Sequence, residues 1–512
     1  MKHTLALLAA LLLILCSGTV PAALGDSSEP NRSFDVRQFG AVADGKTLNT
    51  AAIQKAIDAC TASGGGEVLI AGGQFVTGTI YLKDNVTLHL APGAALLGST
   101  NIADYATNTL KNMYAGETHM DRCLIFARGA KNIGIVGSGT IDGRGGQDHF
   151  PNPGDPQGNR PMLLRFLECT KLRLRDVTLL APAAWTSAWL YCDDIVVDGV
   201  TIQSRANHNG DGLDFDGCRD VRVTNCSFDT SDDSICLQSS RADRPCRDVV
   251  ITNCVFVSKW AGIRIGLLSV GDFENVTVSN CIFRDITDAG LKIQMCEGGT
   301  MRNMVFANLV MQNVPRPVFM TFNRWRLGVD TPSETPPMKA MRDMQFQNIR
   351  VDNSELAGVP CGIVLSGVPG HCIENIAFDN VSLTLPGGGT NQMALVRDLP
   401  TFSDQRPEFY VLGETIPFAG FYARHVRGLN LTNVRISALQ AEARPAFMCD
   451  DVHDLAVAGA KVSDTFNGSE IIYLRDVQQA LIRDCRAGPG VTLVRQDGSK
   501  NSGVEVLTKE QQ

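Results

Sequence analysis

An excess of positive charge is the first thing this sequence lacks. Its 512 residues hold 46 Lys and Arg against 54 Asp and Glu, a net charge of −8. Broad nucleic-acid surfaces draw much of their affinity from phosphate neutralisation, so no nucleic-acid partner is expected. Aromatic residues are scarce at 6%, with 20% charged and 44% hydrophobic, a balance that excludes disordered, collagen-like and coiled-coil chains. Long apolar runs are missing after the first one, Leu5 to Leu15. That run is shorter than the roughly 20 residues a bilayer-spanning helix needs. It follows the basic start Met1-Lys2-His3 and precedes the small residues Val20-Pro21-Ala22. Residues 1–22 therefore read as an export signal cut near Ala22, giving a secreted or periplasmic product with no membrane partner. Cys-x-x-Cys pairs and clustered Cys/His spacings are absent too, so neither metal nor cofactor is expected. Fifteen cysteines remain beyond Cys16, an odd number that cannot all pair within one chain.

Long helical stretches are also wanting. In their place one phrase recurs: apolar-x-apolar-x-Asn, then an apolar residue or Cys. It reads Val221-Arg222-Val223-Thr224-Asn225-Cys226, then Val250-Ile251-Thr252-Asn253-Cys254, then Val276-Thr277-Val278-Ser279-Asn280-Cys281. Degenerate copies lie at Met344 to Ile349, Ile376 to Val381 and Leu429 to Val434, and earlier at Leu172 to Val177 and Ile195 to Val200. The clear spacings are 28 residues from Asn225 to Asn253 and 27 from Asn253 to Asn280. A period in the twenties with strand alternation signals a solenoid, whose coils must stack because none can bury its own apolar face. The expected fold is all-β: a single parallel β-helix. Cys226, Cys254 and Cys281 should form an internal column, and Asn225, Asn253 and Asn280 a hydrogen-bonded ladder at the adjoining turn.

A solenoid needs a cap. Residues Leu48 to Ala62 predict an amphipathic helix burying Ile53, Ala56, Ile57 and Cys60, started by Asn49 or Thr50 and ended by Gly64-Gly65-Gly66. The cap and first coils (33–100) and the remaining coils (101–505) are expected to form one structural domain and a monomer. Two excursions, Asn323 to Arg342 and Arg397 to Gly420, are expected to wall a groove.

The chemistry concentrates between Asn207 and Gln294. Asp211 sits in Asn209-Gly210-Asp211-Gly212, and Asp232-Asp233 follows 21 residues after it, about one coil later. Rungs of a sheet lie about 4.8 Å apart, so these carboxylates should converge, and at least one pKa should rise. A protonated acid beside a carboxylate that activates water is what glycoside hydrolysis requires. The plainer reading is turn chemistry, which Asn-Gly-Asp-Gly and Ser-Asp-Asp also supply.

These residues resemble the polygalacturonases, glycoside hydrolase family 28, in the pectin lyase-like β-helix superfamily. The likeness runs from about Ser33 past Val434 and includes Gly139-Thr140-Ile141-Asp142-Gly143 and Arg160-Pro161. It implies a right-handed parallel β-helix and inverting hydrolysis of a pectic, uronate-containing polysaccharide, with Asp232 as general acid and Asp211 and Asp233 holding the attacking water. The family's Asn-Thr-Asp is here Asn209-Gly210-Asp211. Its Gly-His-Gly aligns with Trp260-Ala261-Gly262, so Ala261 replaces the histidine. Its Arg-Ile-Lys aligns with Lys292-Ile293-Gln294, so one cation becomes neutral Gln294. In the family that pair grips a galacturonate carboxylate, and its loss counts against unmodified polygalacturonan.

Alternation offers a replacement. Ile263, Ile265, Leu291 and Ile293 should point inward and Arg264, Lys292 and Gln294 outward, with Arg264 and Lys292 stacked 28 residues apart. They are expected to form a rearranged cationic subsite, or else a pair of solvated surface cations. Trp260 should stack on a sugar or fill space, and His208, beside Asn209, is a candidate substitute for the missing histidine. Two other classes stay open: a polysaccharide lyase on the same fold and a non-catalytic glycan-binding β-helix.

Overall fold

The computed structural model describes residues 32–109, 120–152, 160–322, 339–402, 408–413 and 415–507. Residues 1–22, expected to be an export signal, and residues 323–338 of the first excursion lie outside them. The strand ladders are parallel, and each strand pairs with its counterpart one coil away, from Ser33–Asp35 to Ser502–Leu507. The chain is a parallel β-helix, as its repeat predicts.

The repeated phrase forms one face of the coil. Val221 lies opposite Val249, Val249 opposite Val276, Val276 opposite Met304, and Met304 opposite Met344, each wholly or almost wholly buried. One copy is easily overlooked in the sequence: Met304-Val305-Phe306-Ala307-Asn308-Leu309 falls in register with its neighbours. The cysteine column exists and merges into an aliphatic one, because Leu309 lies opposite Cys281 and Ile349 opposite Leu309. Cys226, Cys254 and Cys281 are buried free thiols. Each donates to the backbone carbonyl two residues back, which satisfies its S–H without any disulfide. Phenylalanines stack along the same interior, with ring centroids of Phe346 and Phe378 4.5 Å apart.

The asparagines turn the corner. Asn225, Asn253, Asn280, Asn308, Asn348 and Asn380 all adopt φ between 54° and 57°. Asn tolerates this left-handed region because its short polar side chain bonds locally. Carboxamides then link successive coils: Asn253 to Asn225 at 3.5 Å, Asn308 to Asn280 at 3.1 Å, Asn348 to Asn308 at 3.0 Å and Asn380 to Asn348 at 2.8 Å. Asn308→Ala loses the rung on both sides and the polar side chain that lets a residue with a Cβ hold this left-handed turn, so unfolding should become easier by about 1–2 kcal/mol. Urea denaturation measures it, and Asn308→Gly, which keeps the turn, should cost less.

The predicted helix spans Thr50–Ala62 and buries Ile53, Ala56, Ile57 and Cys60 in the same core as the first coils. Its start differs from expectation. The Asn49 carboxamide does not cap; it brackets Val42 instead, accepting from N at 2.7 Å and donating to O at 3.0 Å. The Thr50 hydroxyl accepts from Gly78 N. Both side chains tie the helix to the coil rather than to itself. The second excursion packs Leu399, Phe402, Phe409, Leu412 and Phe418 against the outer surface of one sheet, where Ala289, Phe319, Val364 and Tyr422 meet them.

Candidate active site

Four neighbouring strands carry the site: Leu213–Asp216, Ile235–Ser239, Ala261–Ser269 and Ala289–Met295. Leu213, Ile235, Ile263 and Leu291 align across them and fill the core. The next residue on each strand must point out of the coil. An outward column therefore runs Asp214, Cys236, Arg264, Lys292 and on to Phe319. The turns entering these strands bring Asp211, then Asp232 and Asp233, then Trp260 to the same edge; Gly212 N donates to Asp233 O at 2.9 Å.

Asp211 and Asp233 are buried, while Asp232 keeps partial exposure. The Asp232 backbone is pinned from both sides, its carbonyl accepting from Thr230 Oγ1 and from Ser258 Oγ, each at 2.6 Å. Asp233 is well partnered. Arg264 Nη1 lies 2.8 Å from Oδ2, Ala261 N donates to Oδ1 at 3.2 Å, and the Cys236 thiol reaches Oδ2 at 3.4 Å. Ala261, standing where the family has histidine, thus supports Asp233 with its backbone. Asp211 Oδ1 and both oxygens of Asp214 are buried with no hydrogen-bond partner among the described residues.

That contrast decides where the protons sit. Burial, then the charges of Asp232, Asp214 and Asp233, push Asp211 well above the usual carboxylate range. Burial does the same to Asp214, opposed by the neighbouring Cys236 thiol and Arg264 and reinforced by Asp233 and Asp232. Burial also raises Asp233, to about 7, but the Arg264 guanidinium opposes it. Asp233 is therefore the buried carboxylate best placed to hold a charge, and Asp211 and Asp214 are its proton-bearing neighbours. The sequence reading passed over Asp214 and Cys236. The signal for both was the column that Arg264 and Lys292 already defined, extended two rungs back.

Ligand atoms of Asp211, Asp233 and Cys236 lie within 4.8 Å of one another. The donor set does not suit a cation. Arg264 already neutralises Asp233, and burial with the nearby carboxylates pushes the Cys236 thiol far up, away from the thiolate a metal needs.

Asn209 and His208 serve a different partner. Buried Arg160 donates to Asn209 Oδ1 at 3.3 and 3.2 Å and to the His208 carbonyl, while the His208 side chain is exposed. Gly210, in place of the family's threonine, fits because a Cβ there would lie 2.0 Å from Ser204 O.

The open cationic subsite is not what the fold builds. Arg264 and Lys292 do stack on adjacent rungs. Lys292, however, is wholly buried beneath the second excursion, its ammonium bonded to Asp288 at 2.6 Å and to Glu408. The Trp260 ring lies 4.7 Å from the same ammonium. Arg316 completes the group at 3.0 Å from Asp288. Burial would raise Asp288, but Lys292 and Arg316 hold it below its ordinary value. Gln294 is also fully buried, in the next outward column between Gly266 and Thr321. Lys292 is thus neither a solvated cation nor a free one. Glu408 was not foreseen: it lies 116 residues from Lys292, and no repeat or spacing links them.

A neighbouring acid gives a clean pH test. Burial pushes the Asp216 carboxyl up to about 6, against the hydrogen bonds it accepts from Ser240 N and Oγ. The native state then holds a proton that the unfolded chain releases near its ordinary value of 3.8. This group's contribution is fully present below about pH 4 and is lost as pH rises through about 6, roughly 3 kcal/mol in all. Asp216→Asn should flatten the decline in Tm over that window; an unchanged slope would refute the assignment.

A model of the family Glycosyl hydrolases family 28 matches residues 75–401. The chain is 28% identical over 378 residues to an exo-poly-alpha-D-galacturonosidase of Dickeya chrysanthemi, covering 63% of this chain and 62% of that one. It therefore spans less than two thirds of that relative's length. It is 26% identical over 362 residues to an endo-polygalacturonase of Pectobacterium carotovorum subsp. carotovorum, covering 67% of this chain and 85% of that one. Among solved structures, a family 28 exopolygalacturonase of Yersinia enterocolitica shares the fold, with a TM-score of 0.61 at 24% identity over 84% of this chain and 78% of that one.

Proposed function

This chain belongs to glycosyl hydrolase family 28, and from that premise we propose that it hydrolyses an α-linked, uronate-containing pectic polysaccharide outside the cytoplasm, with inversion. The observation that carries the reading is the graded exposure of three carboxylates on adjacent turns: Asp232 partly open, Asp211 and Asp233 buried beside it. Asp232 is the general acid, giving its proton to the leaving glycosidic oxygen. Asp233, charge-paired with Arg264, and Asp211 orient one water, and Asp233 accepts its proton as it attacks the opposite face of the sugar. One proton leaves Asp232 and one enters the Asp211/Asp233 pair, so exchange with solvent resets the site. The test is reducing-end release from polygalacturonan, rhamnogalacturonan and substituted pectins by wild type and Asp232→Asn. Release from at least one, abolished in the variant, is expected; no release from any by folded wild type would overturn the reading.

A further inference from the structure

Around the partners of Lys292 opens a cleft of about 300 Å³ lined by Trp260, Asp288, Arg316, Glu408, Phe409 and Tyr410, among others. That is the lower end of the range for small-molecule pockets, enough for one sugar ring. Trp260 is only one coil beyond Asp232, so this cleft adjoins the bond-breaking site.

Its charges cancel internally. Lys292 is held by Asp288 and Glu408, and Arg316 by Asp288 and by the Phe409 ring 4.8 Å away. Two cations face two carboxylates, and each cation has its own partner. One rung back, Arg264 is matched by Asp233. A substrate carboxylate entering here would meet no uncommitted cation among the described residues. It would also face the Asp288 and Glu408 charges, at a desolvation cost that nothing offsets. What the cleft presents is aromatic: partly exposed Trp260 and Tyr410, which is 68% exposed.

We propose, resting on the hydrolase reading above, that the subsite at Trp260 and Tyr410 takes a sugar ring without a free carboxylate, a uronate whose carboxyl is esterified or a neutral pyranose, and that Glu408 is the residue that sets this preference. By neutralising Lys292 from above, Glu408 removes the charge that would otherwise attract a free uronate. The rest of the polysaccharide keeps its uronates where they lie outside this cleft.

The test measures binding in an Asp232→Asn background, so that ligand is not consumed. Calorimetry compares methyl-esterified with fully de-esterified oligogalacturonides, for Asp232→Asn alone and combined with Glu408→Gln. The first protein should bind the esterified oligomer at least about tenfold more tightly, a difference of about 1.4 kcal/mol. Glu408→Gln should shrink or invert that ratio by releasing Lys292. Salt supplies a second reading that needs no change at Glu408: affinity for the esterified oligomer should be insensitive to ionic strength. Tighter binding of the de-esterified oligomer, a ratio unmoved by Glu408→Gln, or no binding of either would overturn the proposal. Failure of the hydrolase reading shows separately, as absence of cleavage by wild type.

Discussion

Replacing Asp232 by Asn is expected to lower kcat by about 10² to 10⁴-fold, the usual contribution of a positioned proton donor, with little change in KM. The variant is chosen because the structure can accommodate it. Asp232 Oδ1 accepts from Asp233 N at 2.9 Å, and an Asn oxygen can do the same. The backbone clamps from Thr230 and Ser258 grip the Asp232 carbonyl and are indifferent to the side chain. What Asn cannot do is release a proton to the departing oxygen. Substrates with better leaving groups need less protonation, so an activated aryl glycoside should recover part of the loss. A variant retaining wild-type kcat on the polysaccharide would move the acid role elsewhere in the cluster.

Arg264→Met should be the most damaging single change to the fold at this site, about 3–5 kcal/mol, because it strands Asp233 in a dry environment without its counter-charge. Asp233 would answer by taking a proton, so catalysis at neutral pH should fall with stability. The two effects separate in a double variant. Arg264→Met with Asp233→Asn removes both partners of the ion pair, and stability should largely return while activity stays lost. Denaturant titrations and steady-state rates on the same preparations read both. Full activity in the single variant would show that Asp233 needs no partner and would remove the charge from the proposed water-binding pair.

The fold was legible because its rules are local. Alternation put Ile263 and Leu291 inside and Arg264 and Lys292 outside, and a spacing of 28 residues stacked the two cations, as the ladder register now shows. The capping helix was equally plain from Ile53, Ala56, Ile57 and Cys60. Partnerships across the loops were not legible. Nothing in the run around Glu408 marks it as the lid on Lys292, because an irregular segment carries no period from which to count. Asp214 was hidden for a different reason. In Leu213-Asp214-Phe215-Asp216 an outward carboxylate looks like a solvent-facing one, yet Asp214 is 1% exposed. Periodicity states which side of a strand a residue occupies, not whether that side is wet.

Asp211, Asp214, Asp232 and Asp233 crowd like charges into one small volume, a standing electrostatic penalty for whichever coils bear it. Those coils lie between the helix at one end and eighteen further strands of the described residues at the other, with complete rungs above and below. In a stack where each turn leans chiefly on its neighbours, fraying begins at the termini and weakens inward. An interior address lets the chain tolerate a repulsive cluster that would melt a terminal turn. The regularity of the asparagine and cysteine columns on the far faces is thus the counterweight to irregular chemistry on the near one.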